Sequence, residues 1–198
     1  MRKLAAFMHV SLDGYASPQD GSLEWTFRGM SEDVSQAAHT LLSDVDMALF
    51  GRQTYQGMQG YWTTVPGNPE STPDEIEHAY WLEQVTKVVC STTLETANWN
   101  HSILIKDHIV EQINALKQQS GQTMKIFGSP RLVHSLLDLD PGLIDEYRLF
   151  FHPIVLGDGV PLFKNVKDSI NLNLVDSSIF GNGVVYLRYQ SAHHETDE

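Results

Sequence analysis

The sequence contains little cysteine, few basic residues and no long apolar run. Its single cysteine, Cys90, excludes an internal disulfide, and its place at the end of an apolar run favours a buried thiol over a nucleophile. The 13 basic residues stand against 25 acidic ones, for a formal net charge of -12, which argues against binding to nucleic acid or to an anionic membrane. The first apolar run is interrupted at His9, and no run reaches the length that spans a bilayer. We therefore expect a cytoplasmic protein that binds neither nucleic acid nor membrane.

Two patterns of functional residues are also missing. The chain has 9 histidines, but no pair has the one-turn spacing with an acid that helical zinc sites use. We therefore expect no metal site and interpret the histidines as loop or surface residues. Gly157 and Gly159 are followed by valine and proline rather than by a helix start. The glycine triplet of the usual nicotinamide-binding doubly wound fold is thus absent, and that fold is disfavoured.

What is present fits one domain. A chain of 198 residues with a hydrophobic share of 41% can form one large core. We place a single domain at residues 1–190 and a polar tail at 191–198. Strand patterns occur at 4–10, 45–50, 87–90, 103–105, 124–127, 146–153, 172–176 and 184–189, and helix patterns follow residues 31, 51, 72, 107 and 129, with a long loop at 61–72. This order predicts an α/β fold with a central, mostly parallel sheet, helices on both faces and an antiparallel edge.

The stretch 47–55 carries a candidate anion site. A short apolar strand ends in Gly51, and Arg52 and Thr54 follow at the start of a helix. The unpaired N–H groups and the dipole of a helix N-terminus favour a phosphate, and the planar guanidinium of Arg52 can bind it through two hydrogen bonds. The alternative is that Gly51 only turns the chain and that Arg52 is a solvated helix residue.

A second junction of the same kind lies at 124–131. A strand there runs into Gly128 and Ser129, and Arg131 follows in the first turn of a helix. Two such junctions in one domain favour a ligand with several phosphates, such as a dinucleotide. Ser91 and Thr92 end a further strand and offer hydroxyls to a ribose or a 2′-phosphate, with a simple cap or turn as the alternative.

Three aspartates are candidates for acid chemistry. Asp13 directly follows the first strand, where open α/β sheets form their ligand crevice. Asp33 lies at the start of a helix, and Asp158 lies between two glycines of a late loop. The alternatives are an ordinary turn aspartate for Asp13 and a charge that stabilises the helix dipole for Asp33.

Taken in order, five segments resemble one family. They are SLDGYA (11–16), LFGRQTY (49–55), CSTTL (90–94), IFGSPRLVHSLL (126–137) and DEYRLFFHPIVLGDGVPLF (145–163). These segments are similar to the dihydrofolate-reductase-like superfamily, and more closely to its branch related to the C-terminal reductase domain of bifunctional riboflavin-biosynthesis proteins. The resemblance runs from Leu4 to Tyr189 and implies a three-layer dihydrofolate-reductase-like fold that binds NADPH.

The family pattern also implies roles for the residues of the two junctions. Gly51, Arg52 and Thr54 would hold the cofactor phosphates, with Arg52 selecting the 2′-phosphate and hence NADPH over NADH. The other matching residues would meet the adenosine end (Ser91, Thr92), the pyrophosphate (Gly128, Ser129, Arg131) and the nicotinamide and substrate (Asp13, Gly157, Asp158).

The resemblance implies an NADPH-dependent reductase of a small heterocycle, similar to 5-amino-6-(5-phosphoribosylamino)uracil reductase of riboflavin biosynthesis. It implies a homodimer as well. Asp13 and Asp33 are the expected catalytic residues, which would hydrogen-bond the substrate or relay a proton. Asp33 falls near the family position of a pterin-binding acid. The alternatives are dihydrofolate reduction and an NADPH-binding module without catalysis.

Overall fold

Six parallel strands form the centre of the computed structural model, which describes residues 1–192. The strands are β1 (Leu4–Ser11), β2 (Tyr15–Ser17), β3 (Val45–Gly51), β4 (Thr86–Cys90), β5 (Ser102–Ile105), β6 (Thr123–Phe127), β7 (Glu146–His152), β8 (Val160–Pro161), β9 (Leu172–Ile179) and β10 (Val185–Ser191). The helices are α1 (Glu24–Phe27), α2 (Glu32–Thr40), α3 (Arg52–Trp62), α4 (Pro73–Gln84), α5 (Ile109–Gln118) and α6 (Pro130–Leu139). Every expected strand and helix is present, and β2, β8 and α1 are additional. The tail predicted for 191–198 lies outside the described residues from position 193 onward, and Ser191 belongs to β10.

Eight strands form one sheet in the order β5-β4-β3-β6-β1-β7-β10-β9. Neighbouring strands from β5 to β7 are parallel, and β10 and β9 are antiparallel to their neighbours. The short strands β2 and β8 form a separate antiparallel ribbon. The predicted mostly parallel sheet with an antiparallel edge is confirmed.

Helices cover both faces of this sheet, as predicted. In β1, Met8 and Val10 belong to the apolar cluster that contains residues of α5 and α6. Phe7, on the other face, packs against clusters that contain residues of α2, α3 and α4. Because the parallel strands are buried on both faces, their sequences are nearly continuous apolar runs. Among the described residues, no helix has both the length and the apolar character needed to cross a membrane.

Helix α3 is longer than the sequence pattern predicts. It continues to Trp62 through two glycines, because Tyr55, Met58 and Trp62 all pack on one apolar cluster at helical spacing. Tertiary packing thus outweighs the low helix propensity of glycine. The loop predicted for 61–72 is correspondingly shorter and includes a 3-10 turn at Val65–Gly67.

The sheet order determines which loops meet. Strands β4, β3 and β6 are consecutive in the sheet and parallel, so their carboxyl ends lie side by side at one edge. Ser91, Gly51 and Gly128 follow or end these strands, although they are far apart in the sequence. The fold therefore brings the three polar segments singled out in the sequence to a single edge.

Candidate functional site

A cleft of about 570 Å³ opens at this edge of the sheet. Its lining includes eight residues expected to bind a cofactor, namely Gly51, Arg52, Thr54, Ser91, Thr92, Gly128, Ser129 and Arg131. Residues of the loop after β2, including Gln19 and Asp20, also line the cleft. The cleft is where a ligand is expected in an open α/β sheet, outside the carboxyl ends of the strands.

Hydrogen bonds join the two strand–Gly–helix junctions into one unit. The Gly51 N–H donates to the Ser129 hydroxyl over 3.1 Å, and that hydroxyl donates to the Phe127 carbonyl over 2.8 Å. The Thr54 hydroxyl donates to the Gly128 carbonyl over 3.0 Å. The two helix starts consequently have a fixed separation, as a ligand spanning both would need.

The backbone explains why a single glycine suffices at the second junction. Gly128 has a φ of +46°, in the left-handed region, whereas Ser129 has a φ of -118°, which any residue adopts. Serine is therefore tolerated at position 129 without strain, and its side chain makes the contact with Gly51.

The helix starts that face the cleft keep free donors. No side chain caps α3 or α6 by a hydrogen bond, and within residues 1–192 the N–H groups of Arg52, Gln53 and Thr54 in α3 have no acceptor. In α6, Pro130 has no N–H and the N–H of Leu132 donates to the Ser129 carbonyl over 3.0 Å, so the N–H of Arg131 is the free donor of that first turn among the described residues. Arg52 and Arg131 are exposed beside them, and among the described lining residues Asp20 is the only acid. In a chain with a formal net charge of -12, this edge locally favours an anion.

Ser91 and Thr92 have different roles in the structure. Ser91 is buried, and its hydroxyl accepts from the N–H groups of Leu94 over 3.0 Å and Thr93 over 3.3 Å. This is the turn that the sequence left open as an alternative. Thr92 is exposed at the cleft, and within residues 1–192 its hydroxyl has no hydrogen-bond partner, so it remains available to a ligand.

The carboxylate of Asp13 binds a neighbouring loop. It accepts from the Ser11 hydroxyl over 2.6 Å and from the N–H groups of Leu156 over 3.1 Å and Gly157 over 2.7 Å. The Ser11 hydroxyl first, and then the two backbone N–H groups, lower the pKa of Asp13 because they stabilise its charged form. A carboxyl with a lowered pKa is a poor proton donor at neutral pH. The geometry therefore favours a positioning role for Asp13, and its catalytic role stays a prediction.

Asp33 is not among the residues that line the cleft. It is exposed at the start of α2, where its carboxylate accepts from the Ser31 hydroxyl and from the N–H of Val34. The Ser31 hydroxyl is the main cause that lowers the pKa of Asp33. Asn182, in the turn before β10, donates to Ser31 over 2.8 Å and ties this helix start to the antiparallel edge. These contacts match the helix-start alternative.

Gly157 and Asp158 lie beside the cleft rather than in its lining. Asp158 accepts from the Gln19 side chain over 3.2 Å and from the N–H of Gly159 over 2.7 Å. Gly159 has a φ of +153°, and a Cβ there would lie 2.2 Å from the carbonyl oxygen of Ser17. This close approach holds β8 against β2 and shapes the wall to which Ser17 and Val160 belong.

A pair of histidines was missed by the sequence interpretation. His9 Nδ1 lies 2.8 Å from His152 Nε2, His152 is 2% exposed, and both residues are in strands of the sheet. The expectation of loop or surface histidines is wrong for these two. The sequence did contain a signal for this pair, because His9 interrupts an apolar strand on the face that also carries Phe7.

Among the described residues, no cluster of three or more His, Cys, Asp or Glu side chains has the arrangement of a metal site.

An aromatic strip, defined as Phe7, Trp62, His78, Trp81 and Phe127, lies on the same face of the sheet as His9. Ring centroids are 4.4 Å apart for Trp62 and His78, 5.7 Å for His78 and Trp81, 5.7 Å for Trp81 and Phe127, and 5.9 Å for Phe127 and Phe7. All but Phe127 are half-buried. The Phe7 carbonyl accepts from the N–H of Gly128 over 3.3 Å, so the strip begins next to the second junction.

Comparison with known proteins agrees with this geometry. A family model described as the RibD C-terminal domain matches residues 2–186. An uncharacterized protein of Bacillus subtilis (strain 168), YyaP, is 31% identical over 188 residues, which cover 95% of this chain and 94% of that protein.

Solved structures share the fold. A putative riboflavin biosynthesis protein from Shewanella sp. PV-4 has a TM-score of 0.74 at 23% identity, covering 96% of this chain and 99% of that one. The Thermotoga maritima diaminohydroxyphosphoribosylaminopyrimidine deaminase/5-amino-6-(5-phosphoribosylamino)uracil reductase has a TM-score of 0.64 at 14% identity, over 96% of this chain and 57% of that one. Dihydrofolate reductase from Enterococcus faecalis, complexed with NADP(H) and RAB-propyl, has a TM-score of 0.59 at 16% identity, over 96% of both chains. The predicted dihydrofolate-reductase-like fold is confirmed.

Proposed function

This chain belongs to the RibD C-terminal domain family, and we propose that it is an oxidoreductase that uses NADPH to reduce a small planar heterocycle. The observation that carries the proposal is the cleft at the carboxyl edge of the sheet. Two uncapped helix starts, joined by the Thr54–Gly128 and Gly51–Ser129 hydrogen bonds, face it together with two arginines. This donor set fits a ligand with phosphates at more than one point.

The residues of the cleft divide between the parts of such a cofactor. The first-turn N–H groups of α3 and the N–H of Arg131 in α6 would hold the phosphates, and the guanidinium of Arg52 would bind the 2′-phosphate that distinguishes NADPH from NADH. The exposed hydroxyl of Thr92 would meet the adenosine end. When bound, the nicotinamide supplies the hydride, while the protein supplies position and excludes water.

The aromatic strip supports a planar substrate. Its half-buried rings continue from the second junction across the face of the sheet that α3 and α4 cover. Aromatic faces of this kind favour a flat ring in offset or edge-on contact. The Thermotoga maritima protein of the same fold is named a 5-amino-6-(5-phosphoribosylamino)uracil reductase, and we propose a substrate of that aminopyrimidine type.

Dihydrofolate reduction is the less favoured candidate. Asp33, the residue expected to bind a pterin, has its carboxylate engaged by Ser31 and the start of α2.

A turnover assay distinguishes a module that binds NADPH without catalysis from either reductase. Oxidation of NADPH by an aminopyrimidine or by dihydrofolate would exclude it.

We also propose that the protein acts as a homodimer. Strand β9 is the edge of the sheet and carries three exposed apolar side chains, Leu174, Val175 and Ile179, with exposed fractions of 56%, 47% and 82%. An exposed edge strand of this kind is open to pairing with another chain. A second copy would cover the apolar side chains and complete the edge.

Titration of NADPH fluorescence tests the cofactor proposal. We expect the wild type to bind NADPH, and Arg52→Ala to weaken NADPH about tenfold while changing NADH much less, because only NADPH carries the 2′-phosphate. Arg28→Ala is the matched control, since Arg28 is an exposed arginine outside the cleft lining. An unchanged NADPH signal in the wild type would remove the basis of the proposal.

A further inference from the structure

The His9–His152 pair has a defined proton arrangement. Nδ1 of His152 is buried without a hydrogen-bond partner, and Gly29 covers it so closely that a Cβ at position 29 would lie 2.3 Å away. The indole N–H of Trp25, whose ring meets His152 edge-on at 5.3 Å, is also buried without a partner. Because buried unpaired donors are rarer than under-used acceptors, the proton of His152 belongs on Nε2, where it is donated to Nδ1 of His9.

This arrangement leaves the other nitrogen of His9 as a donor. Since Nδ1 of His9 accepts, its proton is on Nε2. Nε2 has no hydrogen bond within residues 1–192, and it is not among the buried unpartnered atoms of that part of the chain, so it is accessible. The hydrogen bond from His152 thus fixes both the tautomer of His9 and the orientation of its ring, as a hydrogen-bonding partner does for a catalytic histidine.

The position of His9 in β1 places its Nε2–H donor on the same face of the sheet as the aromatic strip that we propose for the substrate. His9 follows Phe7 by two residues on the same face of β1, about 7 Å along the strand. The Phe7 carbonyl in turn accepts from Gly128, at the cofactor cleft. Phe7, a member of the aromatic strip, packs edge-on against the His9 ring, with the ring centroids 5.6 Å apart. His9 is not in the lining of the cleft, but it lies beyond Phe7 toward the carboxyl end of β1, on the face that carries the aromatic strip and at the edge of the sheet where the cleft opens.

Among the described residues, no salt bridge joins a carboxylate to either ring of this pair. The aromatic rings packed on His9 are Phe7, Phe150 and His152, and Trp25 packs on His152. The Lys125 ammonium lies 4.6 Å from the centroid of the Phe7 ring, and a nearby cation does not favour a proton on His9. Burial, and then the neighbouring His152, lower the pKa of His9 to about 3, and burial lowers the pKa of His152. Both rings are consequently neutral at neutral pH. The nearby carboxylate of Asp13 is occupied by Ser11 and by the loop after β7.

We infer that His9 is a substrate-binding residue, whose Nε2–H donates to an uncharged planar ring that offers a carbonyl oxygen or ring nitrogen beside the bond to be reduced. His152 is its positioning residue. The inference rests on the proposed function, because it concerns the substrate of that same reductase. A neutral donor suits a uracil-type ring and does not suit a protonated amidine, which needs a carboxylate as its partner.

Two pyrimidines test this inference in the presence of saturating NADP⁺. We expect calorimetry to show that neutral 5,6-diaminouracil binds the wild type more tightly than the readily protonated 2,4-diaminopyrimidine. His9→Phe keeps a ring but removes the donor, so it should weaken 5,6-diaminouracil about tenfold, and His9→Gln, with an amide N–H, should restore much of the loss. His101→Asn, which removes an exposed imidazole from a left-handed turn, is the control.

Nitrogen NMR of the histidine rings distinguishes substrate binding from a purely structural role, because a structural His9 would show no change in its ring nitrogen signals when a pyrimidine is added. At pH 7 His9 should show a bare Nδ1 and a protonated Nε2, and 5,6-diaminouracil should shift the Nε2 signal. A protonated Nδ1, equal affinity of His9→Phe and wild type, or failure of the NADPH-binding wild type to bind 5,6-diaminouracil would each overturn the inference. Failure of the proposed function is a separate result, since it appears as lost NADPH binding in the wild type.

Discussion

The hydroxyl of Thr54 donates to the carbonyl of Gly128 over 3.0 Å and joins the helix starts that follow β3 and β6. Gly128 holds its carbonyl in this direction through a left-handed φ of +46°. The nearest atom to a Cβ at position 128 would be the Thr54 methyl carbon, at 3.9 Å. The backbone conformation of Gly128 and the side chain of Thr54 therefore fit each other. Their hydrogen bond helps to set the distance between the two helix starts, and with it the spacing of the phosphate groups that we propose they bind.

Thr54→Val should weaken this connection without changing the shape of the side chain. Loss of the hydroxyl leaves the Gly128 carbonyl without its donor, so we expect a loss of about 1 kcal/mol in the free energy of unfolding. NADPH affinity should fall several-fold because one of the two hydrogen bonds that join the helix starts is lost, while the bond between Gly51 and Ser129 remains. Thr54→Ser keeps the hydroxyl and is the matched control. Urea unfolding and NADPH titration measure the two effects, and a Thr54→Val protein with wild-type affinity would contradict this role.

Asp13 should contribute to activity without donating a proton. Its pKa is lowered, chiefly by the Ser11 hydroxyl, so the carboxylate is fully charged at neutral pH. Asp13→Asn replaces one acceptor oxygen by a donor that faces the N–H groups of Leu156 and Gly157. We expect lower stability and a uniform fall in the rate of NADPH oxidation from pH 5 to 9.

The shape of the pH–rate profile shows whether Asp13 donates a proton. If Asp13 were the proton donor, the wild-type rate would fall with increasing pH and Asp13→Asn would abolish that dependence. Ser11→Ala is a useful comparison, since it removes the largest cause of the lowered pKa and keeps the carboxylate.

The proposed dimer predicts a change in mass for variants of β9. Leu174→Glu together with Ile179→Glu places two charges on the exposed apolar strand, so we expect the double variant to sediment as a monomer and the wild type as a dimer. Tyr80→Glu, at an exposed position of α4, should leave the dimer intact. Sedimentation velocity measures both, and a monomeric wild type would refute the proposal.

The cleft at the carboxyl edge of the sheet was predictable from local sequence because its parts are local. A strand, a glycine and a helix start follow one another directly at Gly51 and at Gly128, and both junctions line the cleft. That the two junctions meet depends on β3 and β6 being neighbours in the sheet, which is a property of the strand order. The left-handed φ of Gly128 and the ordinary φ of Ser129 agree with the residue types found there.

The His9–His152 pair and the contacts of Asp13 were not predictable because they depend on residues far apart in the sequence. His9 and His152 are 143 residues apart and meet only through the register of β1 and β7. The Asp13 carboxylate accepts from Ser11 nearby, but its other two donors lie in a loop that follows β7, so the sequence around Asp13 does not show how fully it is occupied. Helix α3 likewise extends to Trp62 through contacts with an apolar cluster rather than through its own propensity.

Stability should fall below pH 6.5 because of buried neutral histidines. The pKa of His9 is lowered from 6.5 to about 3 and that of His78 to about 4, in both cases mainly by burial. Below pH 6.5 the unfolded chain binds protons at these positions and the folded chain does not, so stability is present at higher pH and is lost as the pH falls. Each such histidine contributes at most about 1.4 kcal/mol per pH unit.

Urea unfolding at pH 7.0, 6.0 and 5.5 measures this loss and assigns it to residues. The pKa of His152 is also lowered by burial, so it adds to the loss in every variant that keeps it. His9→Phe and His78→Phe each lack one of these titrating groups, so each should show a shallower decrease than the wild type over this range. The range lies above the lowered pKa values of Asp13, Asp33 and Asp44, which keeps the carboxylates from contributing. His101→Asn should keep the wild-type slope. Equal slopes for His9→Phe and wild type would mean that His9 is not held neutral in the folded protein.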